Sequence, residues 1–143
     1  GMSPDNVELL LAHPLVLIGS DGASMAPVAG NSGIHPRSFG TFPRVLSEYV
    51  RTRNIIDLPH AIRKMTSMPA DRMGLADRGR IARGMKADIV VFNAETVQDK
   101  ATFETPTDYP TGIEHVMVNG RWVLEFGKHT GKTPGTVLRK QSG

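Results

Sequence analysis

Apolar residues recur with helical spacing over roughly the first half of the chain, broken by one uninterrupted apolar run. Ser3-Pro4-Asp5 predicts a helix start, with Ser at the N-cap, Pro in the first position and an acid in the first turn. Val7, Leu10 and Leu11 then fall on one helical face, and the helix should stop before Pro14. Leu15 to Gly19 is apolar or Gly without alternation, as in a parallel strand buried on both faces. Phe42 to Val50 returns to helical spacing through Val45, Leu46, Tyr49 and Val50. Asp57 predicts another N-cap, with Pro59 in the first turn and Ala61, Ile62 and Met65 as the buried stripe. Pro69 opens a further short helical turn that closes at Gly74.

After Gly74 the composition shifts. Arg80-Ile81-Ala82 and Asp88 to Phe92 predict two strands around a turn at Gly84. Ile113 to Val118 and Arg121 to Phe126 flank Asn119-Gly120, the strongest hairpin signal in the chain. Val116 and Val118 should share a face, with Trp122 and Leu124 across the hairpin. The expected class is α/β, with a domain boundary near residue 76. Residues 1–75 carry helices and a strand of an α/β layer, and residues 76–143 a small β module.

Composition narrows the functional classes. The chain has 143 residues, enough for a domain with a core, and 39% of them are apolar. No run of about 20 apolar residues is present, so no membrane partner is expected. The first residues lack the basic-then-apolar order of a signal peptide, and zero cysteines exclude disulfides and thiolate metal ligands. A cytoplasmic location fits both. The net charge of +3 and pI near 9.5 come from basic residues scattered among acidic ones. With only 6% aromatic residues and no basic face, no nucleic-acid partner is expected.

The candidate chemistry begins where the apolar run stops, at Ser20-Asp21-Gly22. A carboxylate at the carboxyl end of a buried parallel strand stands where α/β enzymes place their reacting groups. On these residues alone two readings stand: a catalytic carboxylate, or a polar turn in which Asp21 accepts local backbone hydrogen bonds. Gly22 is expected to supply the sharp turn through positive φ. The loop from Ser20 to Thr41 is long, rich in Gly, and placed to cover a site.

The motifs GSDG (Gly19–Gly22), HPR (His35–Arg37) and GTFPRVLSEYV (Gly40–Val50) are followed by KMTSMPADRMGLADRGRIARGMKADIVVF and GIEHVMVNGRWVLEFGKHTGKTPGTVLR. In order and wording this series resembles the C-terminal part of the N-acyl-D-amino-acid deacylases (D-aminoacylases) of the amidohydrolase superfamily. The G-x-I-x-x-G-x-x-A-D-I-V-V-F pattern at Gly79 to Phe92 is shared across that superfamily, whereas GSDG, HPR, GTFPRVL and the final HTG…PG…LR are more specific.

The resemblance implies that the chain is a fragment. It would supply the last strand (Leu15 to Gly19) and following helices of a metal-dependent (β/α)8 barrel, and the C-terminal strands of a small β-sandwich. In that family Asp21 would lie beside zinc, take a proton from the metal-bound water and pass it to the leaving amine. Asp21 could itself be a metal ligand in the full-length parent. Arg37 would receive the α-carboxylate of the substrate, with Ser20 and Gly22 lining the same site; the substrate is an N-acyl amino acid. The family's His-x-His pair is absent, since no two of the five His are one residue apart. Zinc is therefore expected in the parent and none in this chain. Cut from its neighbours, the chain is expected to self-associate or to need a missing segment. His13, His60, His115 and His129 read as structural or exposed, and His35 as a hydrogen-bonding loop residue. Two other readings stand beside the deacylase: a dihydroorotase- or hydantoinase-like cyclic amidase, and a non-catalytic interaction module.

Overall fold

The computed structural model describes residues 2–23 and 33–139; most of the expected loop between Asp21 and His35 lies outside the described residues. Helix α1 spans Pro4–Ala12, with the Ser3 side chain accepting from the Asn6 amide at 3.3 Å. Its stripe is narrower than expected: Leu11 is buried, but Leu10 is exposed. Helix α2 spans Arg37–Arg44 and runs straight into a π-helical segment, Val45–Thr52. It thus starts five positions before the expected Phe42, inside the stretch assigned to the loop. Pro43 lacks a donor for the preceding turn. Past it the wider spacing is visible in the Arg53 amide, which donates to the Glu48 carbonyl five residues back at 2.8 Å, and the Thr52 hydroxyl reaches the Ser47 carbonyl at 3.0 Å.

Helix α3, Leu58–Met65, begins as expected at Asp57, whose carboxylate accepts from the His60 amide at 2.7 Å. Helix α4, Ser67–Met73, starts two residues before Pro69 and ends at Gly74 in the left-handed conformation. Val45, Ile56 and Ala61 form the core between these elements, with Ile18, Val50, Ile55 and Met65 packed around them. Glu8 of α1 pairs with Arg53 at the end of the π segment.

The expected strand at Leu15 to Gly19 does not form. Residues 16–20 have no ladder partner among the described residues, and Leu15 is exposed rather than buried on both faces. A strand exists only where a neighbour completes its hydrogen bonds, and here the segment leans on α3, through the Ile18 amide to the Lys64 carbonyl at 3.3 Å.

Four strands make one antiparallel sheet in the order β1-β2-β3-β4: Ile89–Phe92, Ile113–Val118, Arg121–Glu125 and Lys128–His129. The hairpin turns at Asn119 and Gly120, both with positive φ (48° and 74°), as a two-residue turn between twisted strands requires. Val116 faces Leu124 as expected, but the register shifts after Val116 and sets Trp122 against Met117, not Val118. Arg80-Ile81-Ala82 forms no strand either. Arg80 instead grips the Asp71 carboxylate with both nitrogens, at 2.8 and 2.6 Å, and holds that carboxyl below its ordinary range. No helix of the described residues is long and apolar enough to cross a membrane.

A polar seam joins helices to sheet. Arg51 donates to the carbonyls of Val97 (2.7 Å) and Ala94 (3.1 Å) and to Gln98 Oε1 (3.1 Å). Asp99 accepts from the Ser47 hydroxyl (3.0 Å) and from Arg44 (3.1 Å). Val97 is wholly buried, and Gly112 passes directly against it with φ +77°: a Cβ there would stand 2.5 Å from the Val97 Cα. Gly131, with φ +79°, has open space around it. Both positions disfavour an L side chain, by about 1–2 kcal/mol. Gly112→Ala should cost a further ~1–3 kcal/mol, because atoms are forced into a filled site. Urea unfolding of Gly112→Ala beside Gly131→Ala checks this; equal losses would show that the backbone at Val97 gives way.

Candidate functional site

Asp21 lies at the end of the extended segment that leaves α1. It is Asp21, not Gly22, that adopts the left-handed backbone, with φ 48°. Asp tolerates that region better than most residues, because its short side chain bonds locally. Gly22 is needed for a different reason. A Cβ on it would come 2.8 Å from the Ser38 Cα, so the segment can cross the start of α2 only without a side chain. The Gly22 amide donates to Ser20 Oγ at 3.2 Å, and the Ala23 amide to Ser38 Oγ at 3.3 Å.

This crossing brings Arg37, the first residue of α2, to Asp21: Nη2 stands 3.0 Å from Oδ2. Ser20, Asp21, Gly22 and Arg37 are therefore neighbours in space. The Asp21 side chain is 86% exposed and that of Arg37 46%. An ion pair this open is held weakly, by up to about 1 kcal/mol, and an incoming carboxylate can displace one partner. His35 Nδ1 accepts from the Arg37 amide at 3.1 Å, and its ring meets the Phe103 edge at 5.1 Å. Beside this pair a cavity of about 450 Å³ opens between α2 and residues 99–104, lined by His35, Arg37, Thr41, Arg44, Asp99 and Phe103. Gly40, within the stretch assigned to the loop, is a buried helical residue of α2 beside Asp99 and Ala101.

The donor set for a metal is incomplete. Among the described residues no group of three or more His, Cys, Asp or Glu side chains gathers. Zinc takes about four ligands, three of them from protein even in open catalytic sites. Asp21 alone does not meet that requirement. The other histidines sit apart: His13 Nδ1 accepts from the Leu15 amide, His60 is in α3, His115 packs on Trp122 and Phe126, and His129 Nδ1 accepts from the Gly131 amide.

Two residues that hold the segments leading to the site carry no motif in the sequence. Ser38 anchors the Ala23 amide. Lys64 is buried completely, on the α3 face that carries Ala61. A lysine three positions after a core alanine, on the apolar stripe, was the available signal.

The sequence profile of the amidohydrolase family matches residues 2–124. The chain belongs to the amidohydrolase family. N-acyl-D-glutamate deacylase of Alcaligenes xylosoxydans xylosoxydans is 43% identical to this amidohydrolase segment over 141 residues, 99% of the chain and 28% of that enzyme. A crystal structure of D-aminoacylase superposes with a TM-score of 0.83 at 44% identity, over 92% of this chain and 27% of its own. N-acyl-D-glutamate deacylase from Bordetella bronchiseptica was crystallised with zinc and a phosphonate mimic of the tetrahedral intermediate. It superposes with a TM-score of 0.77 at 41% identity, over 85% of this chain and 25% of its own. The mixed helix and sheet arrangement is thus that of part of the D-aminoacylase fold, and this amidohydrolase chain spans about a quarter of the length of these relatives.

Proposed function

We propose that the chain is the C-terminal portion of a metal-dependent amidohydrolase that cleaves the amide of N-acyl-D-amino acids. The observation that carries this reading is the open Asp21–Arg37 pair, at 3.0 Å, in a chain 43% identical to a deacylase over nearly its whole length. The two groups suit the two ends of such a substrate. Arg37 receives the free α-carboxylate through a guanidinium fork, giving up Asp21 as it does so. Asp21 then acts as acid–base: it takes a proton from the attacking water as the carbon–oxygen bond forms. It returns that proton to the amine nitrogen as the carbon–nitrogen bond breaks. Ser20 and Gly22 line the same corner. Zinc belongs to the full-length protein, where Asp21 contributes one carboxylate to its surroundings; the residues described here do not hold it by themselves.

In this reading residues 1–75 supply the last strand and following helices of a (β/α)8 barrel, and residues 76–143 the C-terminal strands of a small β-sandwich. Supporting it are the extended but unpaired segment 16–20 and the two faces of β1, on which Val90 and Val91, one to each face, are 52% and 40% exposed. Both need neighbours that other parts of a full-length protein would provide.

Asp21→Asn in a full-length enzyme should lower kcat by about 10²–10⁴-fold with zinc content nearly unchanged. Steady-state kinetics with metal analysis measures both, and near wild-type turnover would dismiss the role. Arg37→Ala should weaken substrates bearing a free α-carboxylate roughly tenfold to a hundredfold, and their amidated counterparts much less. Equal effects on the two would show that Arg37 does not read the carboxylate. The isolated chain should self-associate through its unpaired backbone and bind no zinc stoichiometrically. Sedimentation with metal analysis tests this, and a stable monomer holding one zinc would sink the fragment reading.

A further inference from the structure

Lys64 is 0% exposed and faces backbone instead of an acid. Its Nζ donates to the carbonyl of His13 at 2.5 Å and to that of Val16 at 3.0 Å. Its own carbonyl accepts from the Ile18 amide at 3.3 Å. One residue of α3 therefore holds positions 13, 16 and 18, the approach to Asp21. Lys64 thus ties this approach to α3 through its own chain, independently of any strand that a full-length protein would set beside it. An apolar side chain would pack α3 against the segment without the cost of burying an ammonium. It would not fasten two carbonyls at once. Burial also pushes the Lys64 ammonium below its ordinary range, as expected of a cation surrounded by protein.

We propose that Lys64 is a positioning residue: its ammonium sets the register of residues 13–18 and thereby where Asp21 stands against Arg37 and the substrate amide. This rests on the acid–base reading of Asp21. An extended chain advances about 3.3 Å per residue, so slippage by a single position would carry the carboxylate out of reach of the reacting atoms. Even about 1 Å of misplacement can cost on the order of 10²-fold in rate.

The test uses a full-length enzyme carrying this segment, with Lys64→Ala and Lys64→Gln. Lys64→Ala should lose roughly tenfold to a hundredfold in kcat, with KM changed less than about threefold and zinc retained. n-Propylammonium, which replaces the deleted atoms and the charge, should restore kcat far better than 1-propanol of similar size. Equal rescue by both would reduce Lys64 to a space-filler and overturn the proposal, as would a kcat within about twofold of wild type. If Lys64→Ala does not fold, Lys64→Gln decides, since its one amide donor group should leave KM in place and kcat reduced. Unchanged kcat in Lys64→Gln overturns the proposal. Deuterium uptake by residues 13–20 separates this proposal from the functional reading. If the unaltered enzyme cleaves no N-acyl-D-amino acid, that reading fails. Faster uptake in the variant would still support the Lys64 register, and unchanged uptake would overturn it.

Discussion

Arg51 spends its guanidinium on main-chain and amide oxygens of the Ala94–Gln98 turn, and much of the molecule is arranged around that contact. The π-helical segment carries Arg51 and Ser47 on the side that faces the sheet, while Val45 and Val50 serve the core. On the far side of the seam Val97 is enclosed, with Gly112 pressed against it. The contacts are hydrogen bonds to backbone oxygens and to the Gln98 and Asp99 side chains, so the union is directional and specific in register. An apolar interface of the same size would tolerate sliding.

That directionality reaches the candidate site. Helix α2 and the π segment are one continuous rod, so the seam that fixes Ser47 and Arg44 also fixes Arg37 at the other end. Lys64 does the corresponding work from α3, on the segment that delivers Asp21. The carboxylate and the guanidinium are thus presented by two supports, each anchored through backbone oxygens.

Local signals were read well where the cause is local. Ser3, Asp57 and Asn119-Gly120 each satisfy or shape the backbone within a few residues, and all three hold in the structure. The readings that missed depend on distant partners. Leu15 to Gly19 has the composition of a strand, but pairing is a property of the neighbour as much as of the segment. The shift that moves Trp122 opposite Met117 is set by ladder geometry that alternation does not encode. At the site, Ser20, Asp21, Gly22 and Arg37 do meet in space, yet Gly22 is required by a close approach and not by positive φ. A close approach to Ser38 is a tertiary event, and no turn rule anticipates it.

The left-handed backbone at Asp21 separates two demands that usually coincide. Side chains branched at Cβ are excluded from that conformation on steric grounds alone, whatever their chemistry. Asn and Gly fit it, but neither carries a proton-accepting carboxylate. Glu carries one on a longer arm without Asp's ease in that backbone. The position therefore offers evolution a very short alphabet. A lineage that abandons the carboxylate should drift first to Asn or Gly, keeping the shape of the loop after its chemistry has gone.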